Sequence, residues 1–211
     1  MNQYIETQQS WNLVAGAYEA KFMHLKDYNE SYDYLIANTK VDNARVLEIG
    51  CGPGNIGAYI ASRMPGIKYT GIDVATDMLT IAARYIPDGN FKEIDCRNIS
   101  EINERFDVVV CGFCIPYINQ AEVAQLLKDC FVLMEAGGLL YLSFIVGSYE
   151  TSGWSTSSVN NLRMFVYYYE PAFINEVLSD CGFEIKKTFD IVYEGGQGKS
   201  GVQKIFVAVK P

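Results

Sequence analysis

The stretch VLEIGCGPGNIG, Val46–Gly57, constrains this chain more than any other. A short apolar run ends at Gly50, glycines then occupy alternate positions, and NIGAYIASRM continues as helix until Pro65-Gly66 breaks it. Strand, glycine turn and helix in that order put backbone N–H groups, and room for a close ligand approach, at the carboxyl end of a strand. The alternation continues down the chain. IKYTGIDV reads as a second strand and TDMLTIAARYI as a helix capped by Thr76 or Asp77 and ended by Pro87. NFKEID gives a third strand and FDVVVCGF a fourth, apolar on both faces as a buried parallel strand should be. The amphipathic helix NQAEVAQLLKDCFVLME, closed by Gly137-Gly138, leads into a fifth strand, GLLYLSFIV. Strands and helices of these lengths predict an α/β fold, a mostly parallel sheet with helices on both faces.

The two ends differ from this pattern. Residues 5–40 read as helical, with aromatics spaced along them and few breakers. After the helix EPAFINEVLSDCG come FEIKKTFDIVY and VQKIFVAVK, joined by EGGQGKSG; so short a connection fits a hairpin and predicts an antiparallel last strand. The 211 residues suit one domain, read as a helical cap (1–40), a ligand-binding core (41–146), a lid loop (147–169) and a C-terminal helix and hairpin (170–211). Seventeen basic against 25 acidic residues, a formal net charge of −8, argue against nucleic acid as the main partner. The first residues lack a basic segment followed by an apolar run, and no stretch approaches the length of a membrane span. Six scattered cysteines lack the density of a disulfide scaffold, which predicts a reducing cytoplasm.

The glycines can be read in two frames. From Gly52 they fit GxGxxG, a dinucleotide fingerprint, which supports an NAD(P)-binding oxidoreductase; from Gly50 they form GxGxG. Pro53 has no N–H to give a pyrophosphate, although a first-turn proline suits a helix start. Glu48, an acid inside the apolar strand, would repel a pyrophosphate but could help hold an ammonium group. Asp73 ends the second strand, where a carboxylate can accept from ribose hydroxyls in either ligand class.

VLEIGCGPGNIG, GIDVATDML, EIDCRNI, FDVVVCGFCIPYI and AGGLLYLSF together resemble, in order and spacing, the successive motifs of the class I S-adenosylmethionine-dependent methyltransferases. The resemblance runs from about residue 11 to the C-terminus, and its first two motifs are the specific ones. It implies a Rossmann-like, seven-stranded sheet with an antiparallel last strand and S-adenosylmethionine as cofactor. Carried over residue by residue, Glu48, Gly50, Gly52 and Gly54 would lie against its methionine part and Asp73 would take the ribose hydroxyls. Val74 and Met78 would pack on the adenine face, Asp95 would accept from the adenine amino group, and Cys96 would offer a backbone N–H. Cys111, Gly112 and Phe113 would border the sulfonium, and Tyr18 would close over the cofactor. Each has a plainer reading. Glu48 could pair with Arg45 or a helix N-terminus, Asp73 and Asp95 could be turn residues, and Met78 and Tyr18 could simply be packing. Asp73→Ala is expected to abolish most cofactor affinity while leaving the fold intact.

No general base stands out, so no catalytic residue is assigned; His24, the single histidine, reads as a surface or packing residue, and Tyr117 and Glu150 are unsupported candidates. The chain lacks the Asn/Asp-Pro-Pro-Tyr/Phe motif of nucleic-acid amino-methylating enzymes, the paired-glutamate loop of the protein-arginine branch and the acidic magnesium cluster of catechol-type enzymes. That leaves the broad small-molecule group, acting on an O, N, S or C atom, with no metal. The alternative to an enzyme is a non-catalytic S-adenosylmethionine-binding protein. Cys111-x-x-Cys114 has thioredoxin-like spacing but falls at the fourth strand, where a dithiol role is disfavoured. Tyr117, Trp154, Arg163 and Tyr168 are the candidate substrate contacts, with Arg163 placed to meet a carboxylate or phosphate. A monomer or homodimer is expected, with no membrane partner.

Overall fold

The computed structural model describes residues 3–156, 162–194 and 200–211. Its central sheet has seven strands: β1 (Arg45–Ile49), β2 (Lys68–Asp73), β3 (Asn90–Glu93), β4 (Phe106–Cys111), β5 (Met134–Ile145), β8 (Glu184–Glu194) and β9 (Ser200–Val209). They lie in the order β3-β2-β1-β4-β5-β9-β8. β9 runs antiparallel to both neighbours, and the other neighbouring pairs are parallel, as the sequence predicts. The chain moves outward from β1 to β3 and then returns to place β4 beside β1. That reversal opens a crevice at the carboxyl ends of β1 and β4, the usual ligand site of such sheets.

Alternation along each strand sends side chains to two cores. Leu47, Ile49, Val109, Cys111, Leu140 and Leu142 pack with α5 (Gln120–Leu133) and α6 (Pro171–Cys181). Val46, Val108, Val110 and Tyr141 face α2 (Asn29–Asn38) and α3 (Asn55–Arg63). Glu48 falls in the second set by the same period of two, so an acid enters an apolar face and must be satisfied there.

Four local readings are refined. The N-terminal region is two helices, α1 (Gln3–Phe22) and α2, separated by residues 23–28, where His24, Lys26 and Asp27 interrupt the apolar spacing. Ala75, not Thr76 or Asp77, is the N-cap of α4 (Thr76–Tyr85), because the side chain of Asp73 already takes the Ala75 N–H. The helix before β5 does not reach Gly137-Gly138: α5 ends at Leu133 and β5 begins at Met134, while α5 starts with a reciprocal capping box between Asn119 and Glu122. The connection 147–169 contains strands β6 (Gly153–Thr156) and β7 (Arg163–Val166), which pair antiparallel. Residues 157–161, within the lid reading, and most of EGGQGKSG lie outside the described residues.

Candidate active site

The crevice is floored by the glycine turn. Gly50, Gly52 and Gly54 have φ of +64°, +53° and +83°, the left-handed region that side-chain-bearing residues avoid. A Cβ on Gly50 would come within 2.9 Å of Cys114 and one on Gly54 within 3.1 Å of Ala82, whereas one on Gly52 would meet nothing within 4 Å. Gly52 therefore faces open space, a backbone cradle that a side chain would fill. Gly57 differs. It is a regular residue of α3, and a Cβ there would strike the Tyr69 ring at 2.5 Å. It is a packing glycine, so GxGxG is the working frame.

Two carboxylates fix this loop. Asp73 Oδ2 accepts from Gly52 N at 2.8 Å and Oδ1 from Ala75 N at 2.8 Å, so one side chain ties the end of β2 to the turn after β1. Burial raises its pKa, and the N–H groups of Ala75, Gly52 and Val74 oppose that rise. The side chain is thus part of the turn's own hydrogen bonding, so it supports the loop as well as lying at the crevice. Glu48 is buried below the loop, where Tyr69 Oη donates to its Oε2 at 2.6 Å and the Gly57 backbone also serves it. Burial pushes its carboxyl up to about 8. Of the readings open to it, the helix N-terminus is the one with a visible contact; Arg45 instead pairs with Asp107 and Glu135.

Along β2 and α4, Val74 gives its carbonyl to Gln8 Nε2 at 2.7 Å. Met78 is buried with Ala15, Ala75 and Ile81 against Trp11 and Tyr18, which makes it core between α1 and α4. Asp95 caps the short 3-10 turn Cys96–Glu101 and is gripped by Arg97 through Nε at 2.9 Å and Nη2 at 2.5 Å. Arg97 holds it below the ordinary carboxylate range despite partial burial. The Cys96 thiol lies against Cys114, which in turn meets Cys111. All six cysteines are free. Among the described residues no cluster of His, Cys, Asp and Glu is arranged to hold a metal ion.

Past β4, Gly112 admits Ile56, whose Cδ1 would stand 2.3 Å from an added Cβ. Phe113 then adopts φ +60°, an uncommon conformation for an aromatic residue, held by its N–H donating to the buried Ser143 Oγ at 2.8 Å. This turns the Phe113 ring edge-on to Tyr28, 5.0 Å between centroids. Tyr18 and Tyr117 both meet Trp11 edge-on at 5.3 Å, and the charges acting on Tyr18 are those of Asp73 and Glu48. Tyr18 packs with Trp11 against Ala75 and Met78, next to the turn whose Ala75 N–H donates to Asp73. Arg163 is engaged elsewhere, paired with Glu6 and lying 4.4 Å from the centroid of the exposed Trp154 ring. Tyr117 joins this group through Trp11, and among the described residues no ring contact or ion pair joins Trp154 or Arg163 to it. His24 and Glu150 are exposed.

Sequence reasoning missed Tyr69, Ser143, Arg97 and the polar anchors of α1. A serine inside the apolar run YLSFIV was a usable signal, since a buried hydroxyl needs a partner. Tyr69 carried none, because its role depends on β1 and β2 lying side by side.

Comparison with known proteins agrees with this geometry. The family described as Methyltransferase domain matches residues 46–138, from β1 into β5. A putative methyltransferase 235L of Invertebrate iridescent virus 6 is 28% identical over 98% of this chain and 79% of its own length. A ubiquinone biosynthesis O-methyltransferase of Stutzerimonas stutzeri is 28% identical over 60% of this chain, which spans only 56% of that protein. Among solved structures, magnesium protoporphyrin IX methyltransferase from Synechocystis PCC 6803 with bound SAH superposes with a TM-score of 0.67 at 18% identity, covering 90% of this chain and 84% of that one. That likeness shows the fold.

Proposed function

We propose that the chain is a class I S-adenosylmethionine-dependent methyltransferase and that it transfers a methyl group to a small-molecule acceptor bound beside Phe113 and Tyr117. The observation that carries this reading is the three-glycine turn, left-handed at each glycine and pinned by Asp73, at the point where the strand order reverses. The relatives named for ubiquinone biosynthesis and protoporphyrin act on small molecules by their names, which supports the same class here. The acidic balance favours such an acceptor over nucleic acid. Six free cysteines suit a reducing cytoplasm, and among the described residues no helix is long and apolar enough to cross a membrane.

Bound S-adenosylmethionine supplies a methyl group on a sulfonium, already a good leaving group. The open backbone at Gly52 is where its amino-acid part fits, with the Glu48 carboxyl buried beneath, where an adjacent ammonium would favour its ionised form. Asp73 retains free lone pairs for ribose hydroxyls, and Tyr18 borders the adenosine side. Asp95 is committed to Arg97, so an adenine contact there would share a carboxylate already engaged. Burial pushes Tyr18 up to about 12 and Tyr117 higher still, so both stay neutral and act as donors rather than bases. The chain's own contribution is therefore to position the acceptor and exclude water, with α1 and the 147–169 segment as cap and lid.

Thermal unfolding with S-adenosylhomocysteine, NAD, NADP and FAD tests this. At about 100 times its Kd, S-adenosylhomocysteine adds about 2.7 kcal/mol, which raises the Tm by roughly 5–10 °C. The dinucleotides leave Tm unchanged. Asp73→Ala removes that shift and also lowers the ligand-free stability by about 1–3 kcal/mol, because the Gly52 and Ala75 donors lose their acceptor. A Tm raised only by a dinucleotide would overturn the assignment.

A further inference from the structure

β5 carries a serine inside its apolar run. Leu140, Tyr141, Leu142 and Phe144 are buried, and Ser143 among them is buried as completely. The period of two puts Ser143 on the face of Leu139 and Tyr141, toward α2 and α3, the face that also receives Glu48. A hydroxyl buried there needs a partner, and the partner lies just past the strand ladder. Pairing between β4 and β5 ends at Cys111 and Leu142, and the Phe113 N–H beyond it donates to Ser143 Oγ at 2.8 Å.

That bond holds an uncommon turn. Were β4 to continue, Phe113 would point with Val109 and Cys111 toward α5 and α6. Its φ of +60° breaks the alternation, and its ring packs instead on the opposite face, against the cluster of Tyr28, Tyr32 and Tyr141. Tyr28, which meets the ring edge-on, is itself anchored: its Oη donates to Gln203 Oε1 at 2.7 Å, and Gln203 pairs with Ile145 at the end of β5. The residue after the turn, Cys114, reaches the glycine loop. A Cβ on Gly50 would lie 2.9 Å from Cys114 Cβ and 3.0 Å from its Sγ, so the exits of β1 and β4 touch with no room for a side chain between them. The first glycine of the loop is therefore braced from the side by a segment whose path depends on Ser143.

We infer that Ser143 is a positioning residue for the amino-acid part of the cofactor: its hydroxyl fixes the left-handed turn at Phe113, which keeps Cys114 seated against Gly50 and the glycine loop in its binding shape. The inference rests on the methyltransferase reading, in which the methionine part lies at the glycine loop and the adenosine part on the side of β2 and α4. Loss of the hydroxyl leaves the Phe113 N–H without its acceptor and lets Phe113 relax toward negative φ, which draws Cys114 away from Gly50. The damage falls on one half of the ligand.

The test is calorimetric titration of the full chain with S-adenosylhomocysteine and with 5′-methylthioadenosine, which keeps the nucleoside but lacks the amino-acid part. Ser143→Ala weakens S-adenosylhomocysteine by about tenfold and leaves 5′-methylthioadenosine within about twofold. Ser143→Thr, which keeps an acceptor oxygen, stays within about threefold of the unsubstituted chain for both ligands. Unchanged S-adenosylhomocysteine binding in Ser143→Ala overturns the inference. So does an equal loss of both ligands, the mark of a purely structural role, or a loss in Ser143→Thr as large as in Ser143→Ala. If 5′-methylthioadenosine binds the unsubstituted chain too weakly to titrate, the comparison of alanine with threonine decides alone. Failure of S-adenosylhomocysteine to bind the unsubstituted chain overturns the methyltransferase reading, and the inference with it.

Discussion

Glu48 shows how one residue can carry both structure and function. It lies on the α2/α3 face of β1, wholly buried, with Tyr69 Oη and the Gly57 backbone as partners. Those partners favour the charged form, but burial outweighs them and pushes the carboxyl up to about 8. Because its folded pKa exceeds the ordinary carboxylate value, the folded chain holds a proton that the unfolded chain has released. Its contribution to stability is therefore full below about pH 4 and falls as pH rises toward 8. Ligand-free Tm is expected to decline over that range, and Glu48→Gln to flatten the decline, in melts from pH 5 to 8.5. An unchanged slope in the variant would assign the pH dependence to other groups. The identity of Glu48 stands out in the sequence, an acid in an apolar strand; its partner Tyr69 does not, since only strand pairing brings the two together.

At the scale of elements, α1 is the least legible part of the molecule. Its buried positions include Thr7 and Ser10 beside Val14 and Ala15, so helical spacing is present but half its inward face is polar. The reason is visible in its neighbours. Ser10 Oγ donates to Arg163 O at 2.8 Å, Thr7 Oγ1 accepts from Phe165 N at 3.1 Å, and Asn12 Oδ1 accepts from Asp77 N at 3.0 Å. The helix is fastened to β7 by hydrogen bonds, and to α4 by the Asn12 bond together with a small apolar cluster around Ala15 and Met78. Such an interface is weaker than the sheet, because each bond is worth only about 1 kcal/mol net. Thr7→Val with Ser10→Ala is expected to speed amide exchange in α1 and β6–β7 by roughly tenfold while β1 and β4 remain unchanged. Uniform acceleration across the sheet would show that α1 unfolds only with the whole domain. By contrast α5 was readable from NQAEVAQLLKDCFVLME, because its cap and its apolar face are both local.

Over the whole molecule, the last strand is not an appendage. β9 sits between β5 and β8 and buries Ile205, Val207 and Ala208. Without it β5, whose residues Leu140, Tyr141, Leu142 and Phe144 are fully covered, becomes an open apolar edge. A chain ending at residue 182 is expected to lose its cooperative thermal transition and to aggregate, as read by circular dichroism and light scattering. A soluble, cooperatively melting fragment would place the folding unit in residues 1–182 instead.

What the sequence by itself determined is what local chemistry writes: apolar strands alternating with amphipathic helices, three glycines where the backbone must turn left-handed, and an antiparallel tail made by a short glycine-rich connection. These depend on period, propensity and conformational freedom within a few residues. The tertiary structure decided which of the marked side chains remain available. It committed Asp95 and Arg163 to ion pairs, buried Met78 between α1 and α4, and gave Asp73 a structural duty beside its place at the ligand crevice. It also set Tyr117, after β4, against Trp11 of α1, which meets Tyr18 on the same helix. Positions so far apart in the chain share no local signal, because long-range packing alone makes them neighbours.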